Sequence, residues 1–114
     1  SGTLRVTAPH LARFLLSFIA DGQVDEVRVL QAETVREMRK IPFPKADSKQ
    51  GLVWYFDKLG GDKTMGHDGS DPGVSTIMQY RLKDGIGYII LMNGEPKSGK
   101  FEQTLAQRLM DSAR

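Results

Sequence analysis

The chain has 114 residues, 39% hydrophobic and 26% charged, enough for one modest soluble domain with a real core and little stability to spare. Its net charge of +2 comes without a Lys/Arg stripe interleaved with aromatics, so nucleic-acid binding is not indicated. There is no cysteine, which excludes a disulfide framework, a cysteine zinc cluster and a thiol nucleophile, and no apolar run approaches the roughly 20 residues of a membrane span. No signal-peptide pattern opens the chain, and its start on Ser1-Gly2 rather than Met leads us to expect a fragment or a processed product.

Thr7 is a good N-cap and Pro9 suits a first helical turn. Leu11, Phe14, Leu15 and Phe18 follow at helical spacing with Ile19 beside them, and Asp21-Gly22 is a stop, which predicts a helix over 8–21. Val27 to Leu30 reads as a short extended lead. A second helix is expected over 32–40, with Val35 and Met38 inward and Arg36, Glu37, Arg39 and Lys40 mostly outward, ended by Pro42 and Pro44. Ala46 to Gln50 is a polar connection.

From Gly51 the period changes to two. Leu52, Trp54 and Phe56 alternate with Val53, Tyr55 and Asp57, which predicts a strand. Gly60-Gly61-Asp62 turns the chain into a second strand at Lys63–Gly66. A third runs from Val74 to Leu82, with Val74, Thr76, Met78, Tyr80 and Leu82 on one face, and Lys83-Asp84-Gly85 is a hairpin turn. Ile86 to Met92 is almost wholly apolar, so the fourth strand should be central or well covered. After Asn93-Gly94-Glu95-Pro96, residues Phe101, Leu105 and Leu109 recur at i, i+4, i+8, with Ala106 and Met110 adjoining. They predict an amphipathic helix over 99–113 that packs on the sheet. Short connections between sequential strands favour an antiparallel meander flanked by helices, an α+β fold. A single domain over 1–114 is expected: a helical part over 1–50, strands over 51–93 and the terminal helix.

Candidate chemistry gathers in Gly66-His67-Asp68-Gly69-Ser70-Asp71-Pro72-Gly73-Val74-Ser75-Thr76, which joins two strand-like runs and holds one of the two histidines. A His at a strand end, with Gly two residues later, can put an imidazole and bare backbone N–H groups on one small surface. The plainer reading of the same residues is a Gly-rich hairpin loop with a solvent-facing His. His10 falls in the first turn of a helix and has no assigned role. The five methionines and the apolar strand stripe read as core, and no cofactor or metal is expected.

Several stretches, in order, resemble the C-terminal portion of serine β-lactamase-like hydrolases, the branch of class C β-lactamases, penicillin-binding proteins and esterases. Ser1-Gly2-Thr3-Leu4 and Thr7-Ala8-Pro9-His10-Leu11-Ala12-Arg13-Phe14-Leu15 are similar to the family's Gly-Leu, Thr-Ala, Leu-Ala-Arg-Phe helix. Val29-Leu30 through Thr34 to Met38 resembles its Leu, Thr, Met helix. Gln50-Gly51-Leu52-Val53-Trp54 resembles its Tyr-Gly-Leu-Gly-Trp strand. Gly66-His67-Asp68-Gly69, Pro72-Gly73 and Ser75 resemble its His-x-Gly, Pro-Gly, Ser block, and Ile89-Ile90-Leu91-Met92-Asn93 its apolar strand ending in Asn. The likeness covers residues 1–93; the last helix fits by position.

The family's chemistry rests on Ser-x-x-Lys, on Tyr-x-Asn or a variant, and on Lys-Thr-Gly or His-x-Gly. Only the third is present. None of the seven serines has Lys three residues on: Leu4, Ala20, Gly51, Gly73, Met78 and Phe101 stand there, and Ser112 has no such position. Two residues after Tyr55, Tyr80 and Tyr88 are Asp57, Leu82 and Ile90. A serine without an adjacent base is a weak nucleophile. The resemblance therefore implies a C-terminal piece that is inactive alone, its parent acting on a small-molecule, peptide or ester substrate. His67 would donate to substrate or assist proton transfer, Gly69 would leave room for substrate, and the Ser70 N–H would be one oxyanion-hole donor. Asp68 departs from the neutral residue of Lys-Thr-Gly enzymes and leans the reading from β-lactam carboxylates towards esters or peptides. A sheet missing its other strands should expose an edge and favour self-association. Compartment does not follow from the residues; for the parent, the resemblance fits the bacterial periplasm or cell envelope.

Two rival readings stand beside it. Gly94-Glu95-Pro96-Lys97-Ser98-Gly99-Lys100 has the spacing of a phosphate-binding loop, but Phe101 replaces the Ser or Thr that would hold Mg²⁺, and such loops belong to parallel βαβ units. A non-catalytic binding module would use Trp54 and Tyr55 on an open sheet face, although core packing explains Trp54 better.

Overall fold

The computed structural model describes residues 2 and 4–113, so Ser1 and Thr3 of the opening Ser-Gly-Thr-Leu lie outside the described residues. Helix α1 (Ala8–Ile19) starts as expected: the Thr7 side chain accepts the His10 backbone N–H and Pro9 lies in the first turn. It ends before residue 21, because Asp21 and Gly22 take φ of 53° and 92° and the Gly22 N–H closes on Ser17 O at 2.7 Å.

The extended lead is the return strand of a small hairpin. Strands β1 (Gln23–Val24) and β2 (Val27–Arg28) pair across Asp25 and Glu26, both at positive φ as a two-residue hairpin turn needs. Asp-Glu is a poor sequence signal for such a turn. Helix α2 (Ala32–Met38) buries Val35 completely. Arg39, expected outward, turns in. Its Nη2 donates to Phe18 O at 2.8 Å, its Nη1 pairs with Asp21 at 2.9 Å, and the guanidinium lies 5.1 Å from the centre of the Phe18 ring. A long side chain can bury its stem while its charge reaches a partner, so Arg39 ties α2 to the end of α1.

The first predicted strand starts late. Leu52 and Val53 are exposed, Val53 takes φ 70°, and the Gly51 N–H donates to Trp54 O at 2.7 Å, so this stretch is a turn. Trp54 is nonetheless core: 2% exposed and stacked on Phe18 at 4.2 Å. Strand β3 is Tyr55–Leu59, followed by β4 (Asp62–Asp71), β5 (Val74–Arg81) and β6 (Gly87–Met92). They form a four-stranded antiparallel sheet in the order β3-β4-β5-β6. Helix α3 (Gly99–Ser112) closes the described chain, and the fold is α+β.

The sheet is covered on both faces. Leu15 and Phe18 of α1 pack with Val35, Trp54, Met65 and Tyr80 on one face; Ala106 and Met110 of α3 pack with Tyr88 and Ile90 on the other. This explains the continuous apolar run of β6: Ile89 serves the first layer, Tyr88 and Ile90 the second. Yet β6 is an edge strand of this sheet, not a central one. Phe101 and Leu109, expected on the inward stripe of α3, are both exposed; that stripe is Leu105, Ala106 and Met110. Between sheet and α3, Gln79 Oε1 accepts from Thr64 Oγ1 at 3.0 Å and from Tyr88 Oη at 3.1 Å, satisfying buried hydroxyls. No described helix is long and apolar enough to cross a membrane.

Candidate active site

The candidate residues stand on a strand, not in a loop. β4 does not stop at Gly66 but runs through Asp71, and the chain reverses only at Pro72-Gly73, where Gly73 takes φ 79°. Register decides what this extension can do. β3 pairs with β4 only from Leu59↔Asp62 to Tyr55↔Gly66, whereas β5 pairs with it as far as Asp71↔Val74. Among the described residues, 67–71 therefore have a strand neighbour on one side only.

Antiparallel ladders alternate the direction of their peptide groups. Lys63 O accepts from Leu82 N at 3.0 Å, so odd-numbered peptide groups of β4 face β5. On the other flank the Phe56 N–H donates outward to Lys49 O at 2.8 Å, which puts the even-numbered groups of β4 opposite β3. The N–H and C=O of Asp68 and Ser70 consequently point to the side where β3 has ended.

Side chains alternate as well. Asp68 and Ser70 share the α3 face with Ile77 and Ser75, while His67 and Gly69 are paired with Met78 and Thr76 on the α1 face. The two glycines differ in what they do. A Cβ on Gly66 would fall 2.1 Å from Met78 O, so Gly66 is demanded by close strand approach. At Gly69 a Cβ would meet only Thr76 Oγ1, at 3.1 Å.

A cleft of about 600 Å³ opens beside this strand end, lined by Asp68, Gly69, Ser70, Ser75, Glu95 and Glu102 among others. Two of its carboxylates brace its walls: Glu102 accepts from Ser75 Oγ at 2.7 Å, and Glu95 accepts from the Gly73 N–H at 2.9 Å. Ser75 is buried and gives its proton to Glu102, which makes it a tie between β5 and α3. Among the described residues, no Lys or Arg lines this cleft. Gly69 and Ser70 thus open onto the cleft, and His67 does not. The imidazole is exposed at the strand edge, its Nδ1–H donating to Asp68 O at 2.6 Å. Because a carbonyl can only accept, Nδ1 carries the proton, and in the neutral ring Nε2 is left as the acceptor.

Tyr55, whose ring lies on the α3 face, meets His67 at the open strand edge, where the bond to Asp68 O draws the imidazole: the ring centroids are 6.0 Å apart and the planes at 56°. Burial, and next the charge of Asp68, push its phenol pKa up. The period-two pattern puts Tyr55 on the face opposite Trp54 and names no neighbour for it; the end of the β3–β4 ladder brings it to His67. Glu95 and Glu102 carried no signal, since each reaches the cleft from a distant segment.

The arrangement can offer the backbone N–H groups of Asp68 and Ser70 on the open side, an imidazole whose Nε2 can accept, and an acidic cleft. Comparison with curated proteins and with solved structures gave no match. The family model described as Beta-lactamase matches residues 1–110. With nearly the whole chain matched, and with an α+β meander whose His-x-Gly strand runs on past its neighbour, the chain belongs to the Beta-lactamase family.

Proposed function

We propose that this chain is the C-terminal part of a serine hydrolase of the β-lactamase, D-Ala-D-Ala carboxypeptidase or esterase type, and that it contributes one wall of the active site without the nucleophile. The observation that carries the reading is residues 67–71 of β4, paired on one side only, with the Ser70 N–H turned to the open side and His67 beside it. In acyl transfer the serine of the parent attacks the carbonyl, and negative charge develops on its oxygen. A backbone N–H fixed in a strand stabilises that charge without reorganising. The second donor comes from the missing nucleophile's segment. His67 hydrogen-bonds the substrate or passes a proton through Nε2, and Gly69 leaves the approach clear. The acidic cleft disfavours an anionic substrate group, which supports an ester or peptide over a β-lactam carboxylate.

The rival readings have less support. The sheet around Gly94–Lys100 is antiparallel, unlike that of a phosphate-binding loop, and Trp54 is buried. The test is His67→Ala in the full-length parent. Folding should be nearly intact because the imidazole is exposed, and turnover should fall by at most about 10²–10⁴-fold, the usual worth of acid–base assistance. A parent that keeps wild-type kcat/KM from pH 5 to 9 with Ala at position 67 would falsify the role.

A further inference from the structure

We propose that Tyr55 is a positioning residue that holds the His67 imidazole in the orientation and tautomer presenting Nε2 to the substrate side. This rests on the reading of His67 given above. An exposed side chain on a strand edge keeps its rotamer freedom unless something holds it. His67 has two restraints: the Nδ1–H bond to Asp68 O at 2.6 Å and the tilted Tyr55 ring at 6.0 Å. The first is made with the next residue's own carbonyl, so it survives only in rotamers that turn the ring towards Asp68. The Tyr55 ring stands beside the imidazole and restricts it to those rotamers.

Tyr55 is itself well fixed. It is the first residue of β3, paired with β4 opposite Gly66 at the end of their ladder, and its half-buried ring lines a cavity of about 180 Å³ with Asp68, Gln79, Tyr88 and Glu102. Gln79 is anchored in turn by Thr64 and Tyr88. Rigid support of this kind is what a site residue on an otherwise open edge requires.

The geometry can be read on this chain by NMR. In the wild type, His67 should be in the Nδ1–H tautomer, with ring-current-shifted Hε1 and Hδ2 and nuclear Overhauser contacts to the Tyr55 ring protons. Tyr55→Leu should abolish the ring-current shifts and return His67 to the Nε2–H form that an unconstrained imidazole favours. Tyr55→Phe should preserve both, since the ring and not the hydroxyl makes the contact. In the full-length parent, Tyr55→Leu should lower kcat more than it changes KM, by up to about 10²-fold, the scale of a 1 Å misplacement, and Tyr55→Phe should stay close to wild type. A wild-type His67 in the Nε2–H form without contacts to Tyr55 overturns the inference with no variant needed. So does a folded Tyr55→Leu chain whose His67 shifts and tautomer are unchanged. Loss of activity with His67→Ala but not with Tyr55→Leu refutes Tyr55 alone; altered tautomer with an inert His67→Ala refutes the role of His67 instead.

Discussion

Gly66 and Gly69 lie on the same strand, and replacing each by Ala should have opposite consequences. At Gly66 the new Cβ would lie 2.1 Å from Met78 O, 2.4 Å from Gln79 Cγ and 2.8 Å from Gln79 Cα. Two of these are backbone atoms of β5, so the strands must part or Gln79 must move. Overpacking of this kind costs about 1–3 kcal/mol and occasionally more. Gln79 is also the acceptor for Thr64 and Tyr88, and leaving buried groups unsatisfied costs about 1–3 kcal/mol each. The sum, about 3–9 kcal/mol, is a large share of the roughly 5–15 kcal/mol that holds a small domain together. At Gly69 the added methyl meets only the rotatable Thr76 Oγ1 at 3.1 Å, and the backbone is outside the left-handed region. Ala there also removes freedom from the unfolded chain, worth about 0.4–1 kcal/mol, so the net effect should be within about 1 kcal/mol of zero. Thermal and urea unfolding followed by far-UV circular dichroism reads the difference. At roughly 4–8 °C per kcal/mol, Gly66→Ala should lose more than about 12 °C in Tm or fail to fold, while Gly69→Ala shifts by a few degrees. A Gly66→Ala chain as stable as wild type, or a Gly69→Ala chain as damaged as Gly66→Ala, would refute the register-based division of the two glycines.

Alone, the chain should hydrolyse a chromogenic cephalosporin and a nitrophenyl ester at background rates; stoichiometric acylation of any of its serines, seen by mass spectrometry, would sink the proposal that the nucleophile lies elsewhere. The outer edge of β6 has no strand neighbour among the described residues, and light scattering should show self-association that grows with concentration; a strict monomer at high concentration counts against it. Burial raises the Tyr88 phenol pKa above its ordinary 10.0. A raised folded-state pKa favours the protonated form, so this contribution to stability is complete below pH 10 and is lost as pH rises beyond it. Tyr88→Phe should flatten that alkaline fall while costing about 1 kcal/mol at neutral pH through the lost bond to Gln79, and an unchanged alkaline limb in unfolding curves would contradict this.

Local pattern was enough for the element types. Thr7, Pro9 and Gly22 bound α1 because capping and left-handed stops involve only neighbouring residues. The apolar run of β6 announced two buried faces because both layers print their demand on every position. Pairing across the sheet was out of reach, since it depends on contacts between residues far apart in the chain. The alternation at Leu52–Phe56 predicts a strand although Val53 turns away, and Arg39 reads as outward because its partners, Phe18 O and Asp21, come from α1 and the turn after it. The His-x-Gly spacing could name His67, Gly69 and Ser70 as candidates. That β3 begins only at Tyr55 while β4 continues to Asp71, turning the Ser70 N–H to an open side and Tyr55 against His67, follows from the register of three strands, which no single stretch encodes.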